Sequence, residues 1–314
     1  MLQIDPWAIL TDTYGNAIRA KRERPMPRIN DEVANASVFL YPSENDAEQG
    51  LAFGGSGFLV SMPSRRHPDR GQHIYIVTNR HVVEDFGSDT VRINRTEGLP
   101  PFIKKLTNWQ FHPDGTDIAV HYAQAIGLTR PFFLRHVSTG MFITPDLIDK
   151  LNLGIGDEVF MMGRLVGYDG REVNVPSLRF GHVSAPLKTQ SVPIQYEYGG
   201  VKRTANQDCF LVECRSLVGY SGSPVLIEIT ARTRVVYQNE LKGYDSFLLG
   251  VNCAYPRHKV TVGTFSALID SGMALVIPAW KVQEILDRSD LQRERDLEEK
   301  RHERPPLASP AASA

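Results

Sequence analysis

Gly219-Tyr220-Ser221-Gly222-Ser223-Pro224 is the stretch on which the reading of this chain turns. A serine held between glycines and followed by the apolar run Pro224–Ile229 reads as a tight loop entering a β-strand. Upstream, Tyr75-Ile76-Val77-Thr78-Asn79-Arg80-His81-Val82-Val83 sets a histidine at the end of an apolar strand. Between them, Thr116-Asp117-Ile118-Ala119-Val120 sets an aspartate at the start of another. A hydroxyl, an imidazole and a carboxylate, each at the edge of a strand, are the parts of an activated nucleophile.

The chemistry needs each residue type. A serine hydroxyl is almost wholly protonated at neutral pH, and a neutral histidine within hydrogen-bond reach accepts that proton during attack. An aspartate on the far ring nitrogen fixes the tautomer and stabilises the imidazolium. The oxyanion that forms needs preorganised N–H donors, each worth roughly 2.7–4 kcal/mol. A glycine two residues before the serine frees the backbone to aim two amides together, and Gly219 and Ser221 are placed to supply that oxyanion hole. Asp114 competes with Asp117, but only Asp117 directly precedes a buried-strand pattern. His73, His112 and His121 sit in strand-edge or turn settings, and Ser223 lacks the preceding glycine geometry.

Working outward, short apolar runs separated by Gly, Pro, Asn and Asp recur from Ala36 onward, including Ser37–Tyr41, Gly57–Val60, His73–Thr78, Glu158–Met162, Cys209–Glu213, Arg234–Gln238, Phe247–Asn252 and Met273–Ile277. That pattern predicts an all-β barrel or sandwich. Helix is expected only as one turn around Arg80–Glu84 and from Pro278, where Trp280, Val282, Ile285 and Leu286 form an apolar stripe. Residues 1–35, with the basic, proline-containing segment Lys21–Arg28, read as an arm or linker. Between Asp287 and Arg304, 13 of 18 residues are charged, too few apolar groups for a core. Residues 289–314 are therefore expected to be a charged tail, a frayed, solvated helix followed by disorder. Arm and tail are the expected places for partner contacts.

The balance of 35 basic against 36 acidic residues gives no global field for nucleic acid or an acidic membrane surface. Neither partner is expected. No apolar run reaches the length of a membrane span, and the start of the chain lacks a signal-peptide pattern. Three cysteines, Cys209, Cys214 and Cys253, cannot all pair within one chain. The expected location is a reducing cytoplasm. Cys209 and Cys214 lack a suitably spaced histidine pair for zinc, and no metal or organic cofactor is expected.

Taken together, these motifs resemble the trypsin-like serine peptidases of the chymotrypsin fold, most closely the bacterial HtrA/Deg protease domain. Gly55-Ser56-Gly57-Phe58-Leu59-Val60 is similar to the family's first-barrel strand, and the segments around His81 and Asp117 to its next two motifs. Gly156–Val159, Arg179–Ala185, Gly250–Asn252 and Ala274–Pro278 resemble its second-barrel strands, in order. The resemblance covers residues 36–288 and implies two six-stranded Greek-key barrels with a C-terminal helix. It implies a serine endopeptidase acting on a protein or peptide through His81, Asp117 and Ser221 and an acyl-enzyme. The chain departs from the family in carrying Ser223 where a second glycine is usual, and in lacking a PDZ module after the protease. The 104-residue interval from Asp117 to Ser221 also leaves room for insertions at Ile126–Asp149 and Gln190–Asn206. By the same resemblance Arg215, Ser216, Val251 and Asn252 are expected to bind substrate. Arg215 stands six residues before Ser221, where cleavage after Lys or Arg would want an acid. A small or medium apolar preference is expected instead, or an acidic one if Arg215 points inward. The alternatives are a pseudoprotease or binding module using the same cleft, and an esterase-like acyl hydrolase.

Overall fold

The computed structural model describes residues 31–303 apart from 53, 67, 69–71, 96–98, 124–134, 199–200 and 230–244. Most of the arm, part of the first expected insertion and the expected strand Arg234–Gln238 lie outside the described residues.

The first half opens with β1 (Ser37–Tyr41) and α1 (Glu44–Gln49), whose start is capped by Ser43 accepting from the Asp46 amide at 3.1 Å. There follow β2 (Gly55–Pro63), β3 (Gln72–Thr78), the single turn α2 (Arg80–Val83), β4 (Thr90–Ile93), β5 (Phe102–Lys105), β6 (Gln110–Phe111), β7 (Ala119–Tyr122) and β8 (Val137–Ser138). They form one curled sheet in the order β5-β4-β1-β2-β3-β7-β6, with β8 parallel to β2. Helix α3 (Pro145–Leu151) leads to the second half, its Thr144 cap and Pro145 fixing where it begins.

The second half holds β9 (Glu158–Gly163), β10 (Ser177–Val183), β11 (Gln190–Tyr198), β12 (Val201–Glu213), β13 (Pro224–Glu228), β14 (Ser246–Ala254) and β17 (Ala274–Pro278). The order β10-β9-β13-β14-β17-β12 is closed by pairing of β10 with β12, a ring of six strands. Strand β11 hangs on the outer part of β12 as a long hairpin. A separate hairpin, β15 (Arg257–Val262) with β16 (Phe265–Asp270), projects after β14. The fold is the expected all-β double barrel with a terminal helix, α4 (Ala279–Leu286).

One apolar cluster spans the two halves, joining Phe58, Tyr75, Val77 and Val120 to Val159, Met161, Phe210, Val225 and Val276. Burying such side chains contributes roughly 1.5–3 kcal/mol apiece, so the halves are bound into one body and the cleft between them is fixed.

The helix expected at the start of the charged tail runs over Ser289–Glu303 as α5, and it is docked where the sequence predicts a frayed, solvated helix. Its buried face is Leu291, Arg295 and Glu299, one residue per turn. Two of those three are charged, which is why the sequence reads as a solvated helix and not a docked one. Arg295 donates to the Tyr75 hydroxyl at 2.8 Å and to the Leu286 carbonyl at 2.9 Å. Burial, only partly offset by Arg295, pushes the Tyr75 phenol up to about 12. Glu299 accepts from the Ser64 hydroxyl at 2.6 Å and the Arg65 amide at 3.1 Å, and lies 3.0 Å from His73 Nε2. A helix of polar composition thus docks through buried polar contacts, with Arg66 Nε 3.6 Å from the second Glu299 oxygen. Residues 304–314 lie outside the described residues.

Candidate active site

His81 is the second residue of α2, directly after strand β3. Asn79 precedes that turn, and its side chain donates to the Asp117 carbonyl at 2.9 Å. The Asp117 carboxylate then holds His81 twice: its Oδ1 accepts the His81 backbone N–H at 2.8 Å and its Oδ2 lies 2.6 Å from His81 Nδ1. With a carboxylate accepting there, Nδ1 carries the ring proton and Nε2 is left as the base. Both side chains are about 3–4% exposed, so the pair is shielded from water. Asp114, the competing aspartate, instead pairs with His112 and Thr116 on the surface.

The second half contributes to this pair in ways the motifs do not reveal. Gln207 on β12 accepts the Asp117 backbone N–H at 2.9 Å. Tyr196 on β11 lays its ring 5.3 Å from the His81 ring, while Phe86 meets it edge-on at 5.1 Å. Burial, reinforced by the Asp117 charge, raises the Tyr196 phenol far above its ordinary range and keeps it neutral. Arg203, across the same hairpin, reaches Asp85 at 2.9 Å and ties the hairpin to the first half. The only hint in the sequence is the length of the Gln190–Asn206 interval, since nothing marks Tyr196 or Gln207 individually.

The Gly219–Ser223 loop joins β12 to β13. Gly219 has φ +100°, a conformation that a side chain would strain. The Ser221 carbonyl accepts the Ser56 N–H at 2.8 Å, and the Ser56 hydroxyl donates to the Gly219 carbonyl at 2.7 Å. Strand β2 therefore carries the loop to the His81 side of the cleft. A Cβ on Gly55 would lie 2.8 Å from the Ser221 carbonyl oxygen and 2.8 Å from a methyl of Val82, which places the two segments against each other. Among the described residues the Gly219 and Ser221 amides donate to no protein group, and the half-buried Ser221 hydroxyl forms no hydrogen bond to His81. Bonds of this kind commonly close only on substrate.

A family model for the trypsin-like peptidase domain matches residues 55–236, more than half of the chain and all three motif regions. The chain belongs to the trypsin-like peptidases. It is a serine endopeptidase, and its substrate is protein or peptide. No curated protein matches it. Among solved structures, the Rv3671c protease of Mycobacterium tuberculosis in its active form is similar over 82% of this chain and 83% of its own, at 18% identity and a TM-score of 0.43. The inactive form of the same protease aligns over 81% and 88%, at 18% identity and a TM-score of 0.40.

The residues expected to bind substrate in this peptidase divide. Val251 is fully buried in β14. Ser216 and Asn252 are each about 1% exposed, and Asn252 spends its amide on the Ser216 hydroxyl (3.0 Å) and the Tyr220 carbonyl (2.9 Å). In this structure they brace the Gly219–Ser223 loop and offer no open side chain. Arg215 is exposed and lines a depression of about 430 Å³ with Glu158, Phe180, His182 and Glu213. Ser223, the departure from the usual glycine, is fully buried, and its amide donates to the Tyr220 carbonyl at 3.0 Å. Cys209, Cys214 and Cys253 are free and buried, with the Cys209 and Cys253 sulfurs 3.8 Å apart. His112, Asp114 and Glu284 gather closely enough to hold a cation, but the Lys281 ammonium already bridges the two carboxylates at 3.2 and 3.1 Å.

Proposed function

We propose that this endopeptidase works through Ser221 as nucleophile, His81 as general base and then acid, and Asp117 as the group that orients His81. The carrying observation is the Asp117 carboxylate bonded to both the backbone N–H and Nδ1 of one buried histidine. Attack transfers the Ser221 proton to Nε2, and the amides of Gly219 and Ser221 receive the oxyanion. The proton passes to the leaving amine, and water releases the acyl group by the same route in reverse. The test is intact mass after a fluorophosphonate probe on the native protein and on Ser221→Ala. One adduct, lost in the variant, supports the assignment; no adduct on folded native protein refutes it.

The order of motifs supports an HtrA-like relationship within the family. Three free, buried cysteines support a reducing, cytoplasmic location, which fractionation of the native host would check. The neutral Ser216–Asn252 pair beneath the nucleophile loop supports weak or no cleavage after Lys or Arg and a preference for small or medium apolar residues. Cleavage of a peptide library predominantly after Arg would overturn that preference.

A further inference from the structure

We propose that Ser56 is a positioning residue for catalysis: its side chain, from the opposite half of the molecule, selects the conformation of the oxyanion-forming loop. The inference rests on the triad reading above. Ser56 is wholly buried in β2, and each of its polar atoms is committed. Its amide donates to the Ser221 carbonyl at 2.8 Å, and its carbonyl accepts the Thr78 hydroxyl at 2.7 Å. Its hydroxyl accepts the Arg164 amide at 2.8 Å and donates to the Gly219 carbonyl at 2.7 Å.

The donor and acceptor arithmetic gives the hydroxyl a direction. A serine hydroxyl has a single proton. An amide N–H can only donate, so the Arg164 amide occupies a lone pair and the proton is left for Gly219. The carbonyls of Gly219 and Ser221 are thereby pinned from one residue. The peptide between them, whose N–H belongs to Ser221, is held at its own carbonyl, Tyr220, by Asn252 Nδ2 and the Ser223 amide. Three consecutive peptide planes are fixed, and the first of them begins at a glycine. The N–H of the Gly219–Tyr220 plane donates to the Leu217 carbonyl at 3.1 Å, so without the Ser56 hydroxyl that plane keeps one of its two restraints, and glycine tolerates several backbone conformations at little cost. A turn at Gly219 leaves its carbonyl without a donor and changes the aim of its N–H relative to that of Ser221. Nothing in a glycine-flanked strand motif announces this role, because the contact joins residues 163 positions apart.

The test compares native protein, Ser56→Ala, Ser56→Cys, Ser221→Ala and Thr78→Val. The last removes the buried bond to the Ser56 carbonyl without touching the Ser56 hydroxyl. The readouts are the fluorophosphonate labelling rate, the affinity for a peptide boronate that mimics the tetrahedral intermediate, kcat and KM on a cleaved peptide, and the melting temperature. Ser56→Ala is expected to label roughly 10- to 100-fold more slowly and to lose boronate affinity by a similar factor, with KM nearly unchanged. Ser56→Cys, which keeps a weak donor, is expected to recover part of the rate, and Thr78→Val to stay within a few-fold of native. If Ser56→Ala does not fold, slowed labelling of folded Ser56→Cys at native KM carries the same expectation. Native-like labelling of Ser56→Ala, with Ser221→Ala silent, overturns the inference alone. An equal loss in Thr78→Val also overturns it, as a purely structural effect. An unlabelled native protein overturns the triad reading and the inference with it.

Discussion

Replacing Asp117 by asparagine removes one charge and leaves the surrounding bonds in place. The Asp117 backbone is held by Gln207 and Asn79, neither of which touches the carboxylate. The variant is therefore expected to fold. An asparagine side chain has one acceptor and one donor in place of two acceptors. If its oxygen stays on the His81 amide, its NH2 faces Nδ1 at the 2.6 Å position and forces Nδ1 to accept. The ring proton then sits on Nε2, which can no longer take the proton of Ser221. If the amide flips, its NH2 meets the buried His81 N–H, and two unsatisfied donors cost about 1–3 kcal/mol. The flipped orientation keeps the working tautomer but only at that cost, and without the carboxylate charge neither orientation stabilises the imidazolium. The expected loss at neutral pH is about 10⁴-fold, or about 5 kcal/mol of transition-state stabilisation. The assay is the second-order labelling rate with a fluorophosphonate, followed by mass, alongside a thermal melt. A folded Asp117→Asn variant labelling within tenfold of native would refute the assignment of Asp117.

Three further outcomes are expected. Burial lowers the His121 pKa to about 4 from 6.5, so native protein keeps the ring neutral where the unfolded chain charges it. Stability present above pH 6.5 is then lost as pH falls toward 4, by up to about 3 kcal/mol, and His121→Phe should flatten urea-denaturation midpoints across that window. Glu299→Ala strips the acceptor from Ser64, the Arg65 amide and His73; a loss of about 2–4 kcal/mol is expected in urea unfolding, and a change below about 0.5 kcal/mol would contradict the docking of α5. Tyr196→Ala uncovers the His81 ring, so modification of His81 by diethyl pyrocarbonate, mapped by mass, should accelerate severalfold; an unchanged rate would mean that Tyr196 does not shield it.

Much of the architecture is legible in the sequence because each motif carries its own local physics. Apolar strands ending at His81 and beginning after Asp117 mark the buried edges that hold those side chains, and the glycines around Ser221 mark a loop that only they can close. What the sequence hides is long-range polar pairing. Gln207, Tyr196 and Ser56 are ordinary strand residues until β12, β11 and β2 are folded against the opposite half. Asn252 and Ser216 lie where the family resemblance points to substrate, yet in the structure their hydrogen-bonding groups turn inward toward Tyr220 and each other. The docking of helix α5 was hidden for the opposite reason: its buried stripe is built from arginine and glutamate, so it looks like a solvated face.

That helix also sets a timetable. It is the last described element along the chain, yet the groove it fills is lined by Ser64, His73 and Tyr75 near the beginning, and the His73–Glu299 contact spans 226 positions. A ribosome delivers the groove long before the helix that fits it. For the 104 residues between Asp117 and Ser221 the nascent chain carries the histidine and aspartate without the serine, and when Ser221 emerges the groove still lacks the helix that fills it. The serine and the helix that fills the groove both come from the later part of the chain, so the contacts that complete the fold join its two ends.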